Sequence, residues 1–134
     1  MSRTALVLGA GLGGMIAAQM LRRLLPRSER VVLVEREARH VFPPSLLWLM
    51  VGRRGADAIS RPCEHAARPG IELVRGEVTA IDPVAKTVRV GERTLRGDAL
   101  VIALGAEYAL QAIPGLAEAG LCIYTLEGAT AIRE

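Results

Sequence analysis

The amino-acid sequence predicts an α/β fold in which a parallel sheet carries a small antiparallel β-meander. Three observations lead to this fold class. A strand-like run, a glycine-rich loop, a helical pattern and a second strand follow one another within residues 4–35. Short strand-like runs separated by turn residues occupy residues 71–97. A third apolar run, residues 99–104, is typical of a strand buried in a parallel sheet.

Composition is that of a globular domain. The chain has 134 residues, of which 51% are hydrophobic and 3% aromatic, a balance that excludes disorder and favours one domain. The net charge of +3 is scattered along the chain, whereas nucleic-acid binding usually needs a clustered basic face, so we expect no nucleic-acid partner. A mean hydropathy of +0.30 is high for a small domain. We therefore expect exposed apolar surface, which a homodimer could cover.

Targeting and metal signals are missing from the sequence. A strand begins by residue 4, which leaves no room for a signal peptide, and the expected location is cytoplasmic. Cys63 and Cys122 lack the spacing of metal sites or disulfide frameworks, so no metal is expected. The stretch nearest to a membrane span, VFPPSLLWLMVG at 41–52, is too short to cross a bilayer and contains two prolines.

The first elements form one βαβ unit. TALVL, residues 4–8, is a short apolar run with glycine directly behind it, as expected for a buried parallel strand. The helix that follows the glycines ends at Pro26, and VVLVE, residues 31–35, is a second buried strand that ends in an acid.

The later elements are shorter. A helical pattern over 56–67 is interrupted by Pro62, and the strands of the predicted meander, within 71–97, lead into the buried strand at 99–104. The tail is predicted to be loop through Gly120, with a helix that begins near Leu126. The expected division is a nucleotide-binding domain at 1–110 and a connecting segment with the start of a helix at 111–134.

The glycine-rich loop carries the first chemical signal. A strand that turns tightly into a helix leaves unpaired N–H groups at the helix start, where the macrodipole is positive, and this is an anion site. Gly9, Gly11 and Gly14 match the GxGxxG spacing, in which glycines permit the turn, the approach of a pyrophosphate and close helix packing. The alternative is an ordinary tight turn.

An acid at the end of the second strand gives the motif its context. Glu35 lies 21 residues after Gly14, where a carboxylate can bind the hydroxyls of an adenosine ribose. Strand, loop, helix and acid together predict a Rossmann-like FAD/NAD(P)-binding domain.

Five motifs together resemble a known family. VLGAGLGG, VVLVERE, FPPS, GEVTAID and DALVIALGA resemble the N-terminal FAD-binding portion of two-dinucleotide-domain flavoproteins of the pyridine nucleotide-disulfide oxidoreductase superfamily. The sequence is most similar to the branch of sulfide:quinone oxidoreductase, flavocytochrome c sulfide dehydrogenase and type II NADH dehydrogenase. The resemblance implies FAD as cofactor. It also implies a later second nucleotide domain, outside these residues, with NAD(P)H as a donor in the longer protein.

The resemblance also implies cofactor contacts. The glycines of the loop would cradle the pyrophosphate, and Glu35 would hold the ribose. Arg36 would lie along adenine or a phosphate, and the backbone of Val78 would meet the adenine edge. Pro43 and Pro44 would approach the flavin ring, and the loop at residues 103–106 would lie under the cofactor. Leu104 stands where the family usually has threonine. The residues implied are Gly9, Gly11, Gly13, Gly14, Glu35, Arg36, Pro43, Pro44, Val78, Ala103 and Gly105.

Catalytic residues are harder to predict. The segment VFPPSLLWLM has no cysteine pair, so we expect no dithiol mechanism. Tyr124 stands where sulfide:quinone oxidoreductases carry a catalytic cysteine, and Cys122, two residues earlier, is either redox-active or packed. His40 is either a proton carrier or makes a local hydrogen bond beside the FPP turn. Trp48 and its apolar neighbours either face a quinone or a membrane surface, as a peripheral contact at the inner face, or pack in the core or between domains.

Two functions remain open at this stage. The first is the FAD-binding part of a flavin-dependent oxidoreductase, which passes electrons from a small reduced donor to an acceptor such as a quinone. The second is a non-catalytic module or scaffold that binds FAD, NAD or ADP.

Overall fold

The computed structural model describes residues 2–134. The strands are β1 Thr4–Leu8, β2 Arg30–Glu35, β3 Arg39–Val41, β4 Ser60–Pro62, β5 Ile71–Arg75, β6 Val78–Asp82, β7 Thr87–Val90, β8 Arg93–Arg96 and β9 Ala99–Ile102. The helices are α1 Leu12–Leu24, α2 Leu46–Met50, α3 Ala56–Ile59, α4 Cys63–Ala66, α5 Leu116–Ala119 and α6 Leu126–Arg133.

The chain divides into two compact units. The first contains the residues up to His40 together with Pro62–Gly105, and the second contains Val41–Arg61 and Ala106–Glu134. The second unit is therefore formed by two separate segments of the chain, and the sequence does not indicate that these segments belong together.

A parallel sheet is the centre of the first unit. Its strand order is β5-β2-β1-β9, and every neighbouring pair is parallel. Leu6 lies opposite Val32 on one side and Leu100 on the other. The two central strands are apolar along almost their whole length because both of their faces are buried. The predicted α/β class with a parallel sheet is confirmed.

The two faces of this sheet bury different elements. Successive side chains of β1 point to opposite faces, so Leu6 and Leu8 pack with Val88 of the meander, while Val7 packs with Met15 of α1. The sheet edge formed by the carboxyl ends of β1 and β2 is therefore held between the meander and α1.

The antiparallel meander consists of β6, β7 and β8. It is shorter than the sequence suggests, because Ile71–Arg75 was expected to belong to it. That segment is β5, which pairs in parallel with β2. It lies at the edge of the parallel sheet, and its alternating exposure resembles that of an antiparallel strand. The sequence pattern alone does not separate the two cases.

The second unit packs α2 and α3 against α6. Its core contains Leu46, Leu49, Ile59 and Ala129. The predicted helical stretch at 56–67 is divided into α3, β4 and α4, since Pro62 interrupts it. The helix expected near residue 126 is present as α6. Within residues 2–134, no helix is both long and apolar enough to span a bilayer.

Candidate functional site

The loop between β1 and α1 is shaped by two glycines that touch other backbone. Gly9 has a φ of +90°, and a Cβ there would overlap the carbonyl of Ala103 at the end of β9. A Cβ on Gly14 would overlap the carbonyl oxygen of Gly9. The first and third glycines of the motif are therefore required by packing within the protein.

The other two glycines face open space. A Cβ on Gly11 or Gly13 would have no neighbour within 4 Å. Gly11 has extended backbone angles, φ −65° and ψ −172°, that any residue adopts. Among residues 2–134 no contact requires glycine at position 11, and the loop is open there to a ligand that approaches from outside.

The start of α1 is an uncapped helix end. The N-cap residue is Gly11, which has no side chain to cap the helix, and the first turn of α1 holds no acidic residue. The first bond of the helix runs from Met15 N–H to Gly11 O at 2.9 Å, so the N–H groups before it have no partner in the helix. Together with the positive end of the macrodipole, they form an anion-binding surface.

Glu35 is directed at this loop. Its Oε2 accepts a hydrogen bond from Ala10 N–H at 2.5 Å, and its Oε1 accepts one from Glu37 N–H at 2.8 Å. A carboxylate oxygen has two lone pairs, so each oxygen keeps acceptor capacity for a hydroxyl. The acid therefore lies beside the anion-binding surface and can accept hydrogen bonds from a sugar.

Arg36 directly follows β2 in the chain, and Val78 lies just after a turn that is bonded to the end of β2. The Arg36 Nε lies 3.2 Å from Glu37 Oε1, and its Nη1 lies 3.9 Å from Glu77 Oε1. Val78 begins β6 opposite Val90, next to a register shift in the meander. The backbone N–H of Gly76 donates to Glu35 O at 3.0 Å, which fixes the turn before β6 to the end of β2.

The loop after β9 completes the site in the first unit. Ala103 N–H donates to Leu8 O at 2.8 Å. Gly105 has a φ of +81°, and a Cβ there would meet open space. Leu104 is half-exposed. Its side chain is solvent-accessible, so a leucine at this position leaves the backbone of the loop intact.

Pro43 and Pro44 belong to the second unit. They are exposed and begin a short 3-10 turn, Pro43–Ser45, in which Ser45 N–H donates to Phe42 O at 2.9 Å. The structure thus brings the glycines, Glu35, Ala103 and Gly105 together in one unit and places the two prolines in the other.

His40 makes a hydrogen bond that the sequence did not indicate. Its Nδ1 lies 2.7 Å from the carbonyl oxygen of Ala10, a residue 30 positions earlier in the chain. The expectation of a local hydrogen bond at this histidine is wrong, because the partner lies in the loop between β1 and α1. No signal in the sequence identifies a contact over that separation.

The two cysteines differ in environment. Cys63 is buried, with its Sγ 3.4 Å from Glu37 O, and desolvation raises the pKa of its thiol. Cys122 is half-buried before α6, where its carbonyl oxygen contacts Gly128. The Tyr108 and Tyr124 rings lie 5.7 Å apart. Among residues 2–134, no group of three or more His, Cys, Asp or Glu side chains is placed to hold a metal.

Comparisons with known proteins give a consistent result. The family model described as pyridine nucleotide-disulphide oxidoreductase matches residues 3–134. Demethylphylloquinone reductase NdbB of Synechocystis sp. is 34% identical over 96% of this chain and 34% of its own length. Alternative NAD(P)H-ubiquinone oxidoreductase C1 of Arabidopsis thaliana is 32% identical over 96% of this chain and 28% of its own length.

A solved structure agrees with the sequence matches. The sulfide:quinone oxidoreductase of Aquifex aeolicus superposes with a TM-score of 0.87 at 28% identity, over 98% of this chain and 31% of that one. The chain thus spans about a third of the length of the proteins it matches.

Proposed function

Because the chain belongs to the pyridine nucleotide-disulphide oxidoreductase family, we propose that it is the FAD-binding part of a flavin-dependent oxidoreductase. One observation carries the proposal. The open N–H groups at the start of α1 lie beside the carboxylate of Glu35, which is bonded to the same loop through Ala10. This pair of groups suits a pyrophosphate and an adjoining ribose.

The residues present fit the cofactor. The open space at Gly11 and Gly13 admits a diphosphate to the helix N-terminus, and Glu35 retains acceptor capacity for ribose hydroxyls. Arg36 follows Glu35 directly, the turn before Val78 is bonded to Glu35 O through the Gly76 N–H, and Ala103 contacts Gly9. In this proposal the prolines of the second unit, Pro43 and Pro44, contact the flavin ring.

The flavin supplies the redox chemistry when bound, by accepting an electron pair from a reduced donor and passing it to an acceptor. This chain's share is to bind and orient the cofactor. We place NAD(P)H as donor and a quinone as acceptor, since the two relatives are named as quinone reductases and one of them as acting with NAD(P)H. Cys122 remains a candidate redox group, and His40 a candidate proton carrier.

The proposal includes a cytoplasmic location with peripheral contact at the inner face of a membrane, where lipid-soluble quinones reside. Leu47, Trp48 and Val51 are exposed on and after α2. The guanidinium groups of Arg53 and Arg54 lie 5.7 Å and 5.5 Å from the Trp48 ring centroid. Exposed apolar side chains beside cations suit an anionic lipid surface. A homodimer that covers other exposed apolar side chains is also part of the proposal.

The experiment compares nucleotide binding by Gly11→Val and Gly55→Val. Both glycines are N-cap residues with extended backbone, and a Cβ at either position meets nothing within 4 Å. Both variants are therefore expected to fold. The wild type and Gly55→Val are expected to bind FAD and ADP, with stabilisation of about 2.7 kcal/mol at 100 times Kd. Gly11→Val is expected to lose this binding.

Two outcomes would count against the proposal. Unchanged ADP binding in Gly11→Val would show that the loop does not hold the diphosphate. A colourless protein that binds ADP or NAD but not FAD would favour the non-catalytic module.

A further inference from the structure

The loop between β1 and α1, residues 9–11, is called the nucleotide loop below. Hydrogen bonds from β2 and β3 hold three of its successive peptide groups. The Gly9 N–H donates to Val34 O at 2.8 Å, the Ala10 N–H donates to Glu35 Oε2 at 2.5 Å, and the Ala10 carbonyl oxygen lies 2.7 Å from His40 Nδ1. The first two partners belong to β2. Only the third comes from β3.

The bond to His40 has a defined direction. A carbonyl oxygen only accepts hydrogen bonds, so Nδ1 is the protonated nitrogen of the imidazole. Ala10 itself is 3% exposed, and its carbonyl is therefore shielded from most water. Removing the imidazole would leave the partly buried Ala10 carbonyl without this hydrogen-bond donor, which costs free energy.

The same bond sets the direction of a neighbouring amide. The Ala10 carbonyl and the Gly11 N–H belong to one trans peptide group, in which C=O and N–H point in opposite directions. A donor that holds the oxygen on one side therefore aims the Gly11 N–H to the other side. Gly11 is the glycine with open space around it, at the N-cap of α1.

We propose that His40 is a positioning residue of the nucleotide loop, which fixes the Ala10–Gly11 peptide so that its N–H faces the diphosphate of the bound nucleotide. This inference rests on the proposed function, because it assumes that the loop holds a diphosphate. The role is separate from proton transfer, since Nδ1 donates to Ala10 in both the neutral and the charged imidazole.

The test uses three variants of the 134-residue chain. His40→Leu removes the donor, and His40→Asn keeps one, because the asparagine Nδ2 and the imidazole Nδ1 are the same number of bonds from Cα. His65→Leu is the matched control, since His65 is exposed on α4 in the same unit. The probes are ADP and adenosine, which differ in the diphosphate.

The expected results are specific to positioning. His40→Leu is expected to bind ADP about 3- to 10-fold more weakly than the wild type, with adenosine binding nearly unchanged. His40→Asn is expected to recover most of the ADP affinity, and His65→Leu to match the wild type. A general loss of packing would weaken both probes together, so the ratio of the two affinities separates positioning from stability.

Three results would overturn the inference. Equal ADP binding by the wild type and His40→Leu would remove the role of His40 and leave the proposed function intact. Failure of the wild type to bind ADP or FAD would instead remove the proposed function, and the inference with it. If His40→Leu does not fold, 15N NMR of the wild-type imidazole still decides, because a neutral ring with its proton on Nε2 would contradict the bond to Ala10.

Discussion

Glu35 and Ala10 are joined by a 2.5 Å hydrogen bond from the Ala10 N–H to the Glu35 carboxylate. This bond connects the end of β2 to the loop after β1, so it holds the acid beside the loop. Under the proposed function, Glu35 would therefore couple recognition of the ribose to recognition of the diphosphate.

Replacing Glu35 by glutamine is expected to weaken ADP binding about 10-fold or more, because a charged hydrogen-bond acceptor for the ribose is lost. Isothermal titration of ADP and 2′-deoxy-ADP measures the effect. The wild type is expected to prefer ADP, and Glu35→Gln to lose most of that preference. Glu37→Gln, an exposed acid two residues away, is the control. Equal wild-type affinity for the two nucleotides would contradict the ribose contact.

Alanine substitutions at Gly13 and Gly14 are expected to have opposite effects on the free energy of unfolding. A Cβ at Gly14 overlaps the Gly9 carbonyl oxygen, so Gly14→Ala is expected to cost about 1–3 kcal/mol. A Cβ at Gly13 meets open space, and Gly13→Ala is expected to gain about 0.5–1 kcal/mol from helix propensity. Urea unfolding without nucleotide measures both. Similar stability of the two variants would show that Gly9 and Gly14 are not in contact.

The free energy of unfolding is expected to fall in alkali because the Cys63 thiol is buried. Burial raises its pKa above the ordinary value of 9.0, so the unfolded chain ionises first as the pH rises. The contribution of the neutral thiol is complete below about pH 9 and is lost as the pH rises from there through the folded pKa. Urea unfolding at pH 8 and pH 10 is expected to show a smaller pH effect in Cys63→Ala. An identical pH effect in the variant would contradict this origin.

Trp48, the one tryptophan of the sequence, reports on membrane contact. Its fluorescence is expected to shift to shorter wavelength on vesicles that contain phosphatidylserine, because the ring leaves water. Neutralising Arg53 and Arg54 together is expected to weaken vesicle binding about 30-fold, at about 1 kcal/mol for each cation. The paired variant Arg93→Gln and Arg96→Gln on β8 is the control. An equal shift on vesicles of phosphatidylcholine alone would count against an anionic surface.

The first 35 residues were the most predictable part of the fold. Strand, glycine loop, helix and acid are local patterns, and each constrains the next, since the tight turn from strand to helix needs glycine where backbone meets backbone, at Gly9 and Gly14. The structure agrees with β1, α1 and β2, and it directs Glu35 at the loop. The anion-binding surface follows from the same local geometry.

Contacts between distant segments were not predictable from the sequence. The pairing partner of Ile71–Arg75 depends on which strand lies beside it, and its alternating pattern fits either kind of sheet. The bond from His40 to Ala10 joins residues 30 positions apart. The packing of residues 46–59 with α6 likewise depends on segments separated by about half of the chain.

Gly9 touches the backbone of Ala103, and Ala103 N–H is bonded to Leu8. The wall behind the glycines is thus contributed by β9 and Ala103, which are synthesised 90 or more residues after Gly9. During translation the βαβ half leaves the ribosome with one side of this wall missing, and it is completed only when β9 has emerged and joined the sheet. Under the proposed function, we expect a nascent chain to take up nucleotide only after β9 has joined the sheet, so ligand uptake would report the last step in assembling the sheet.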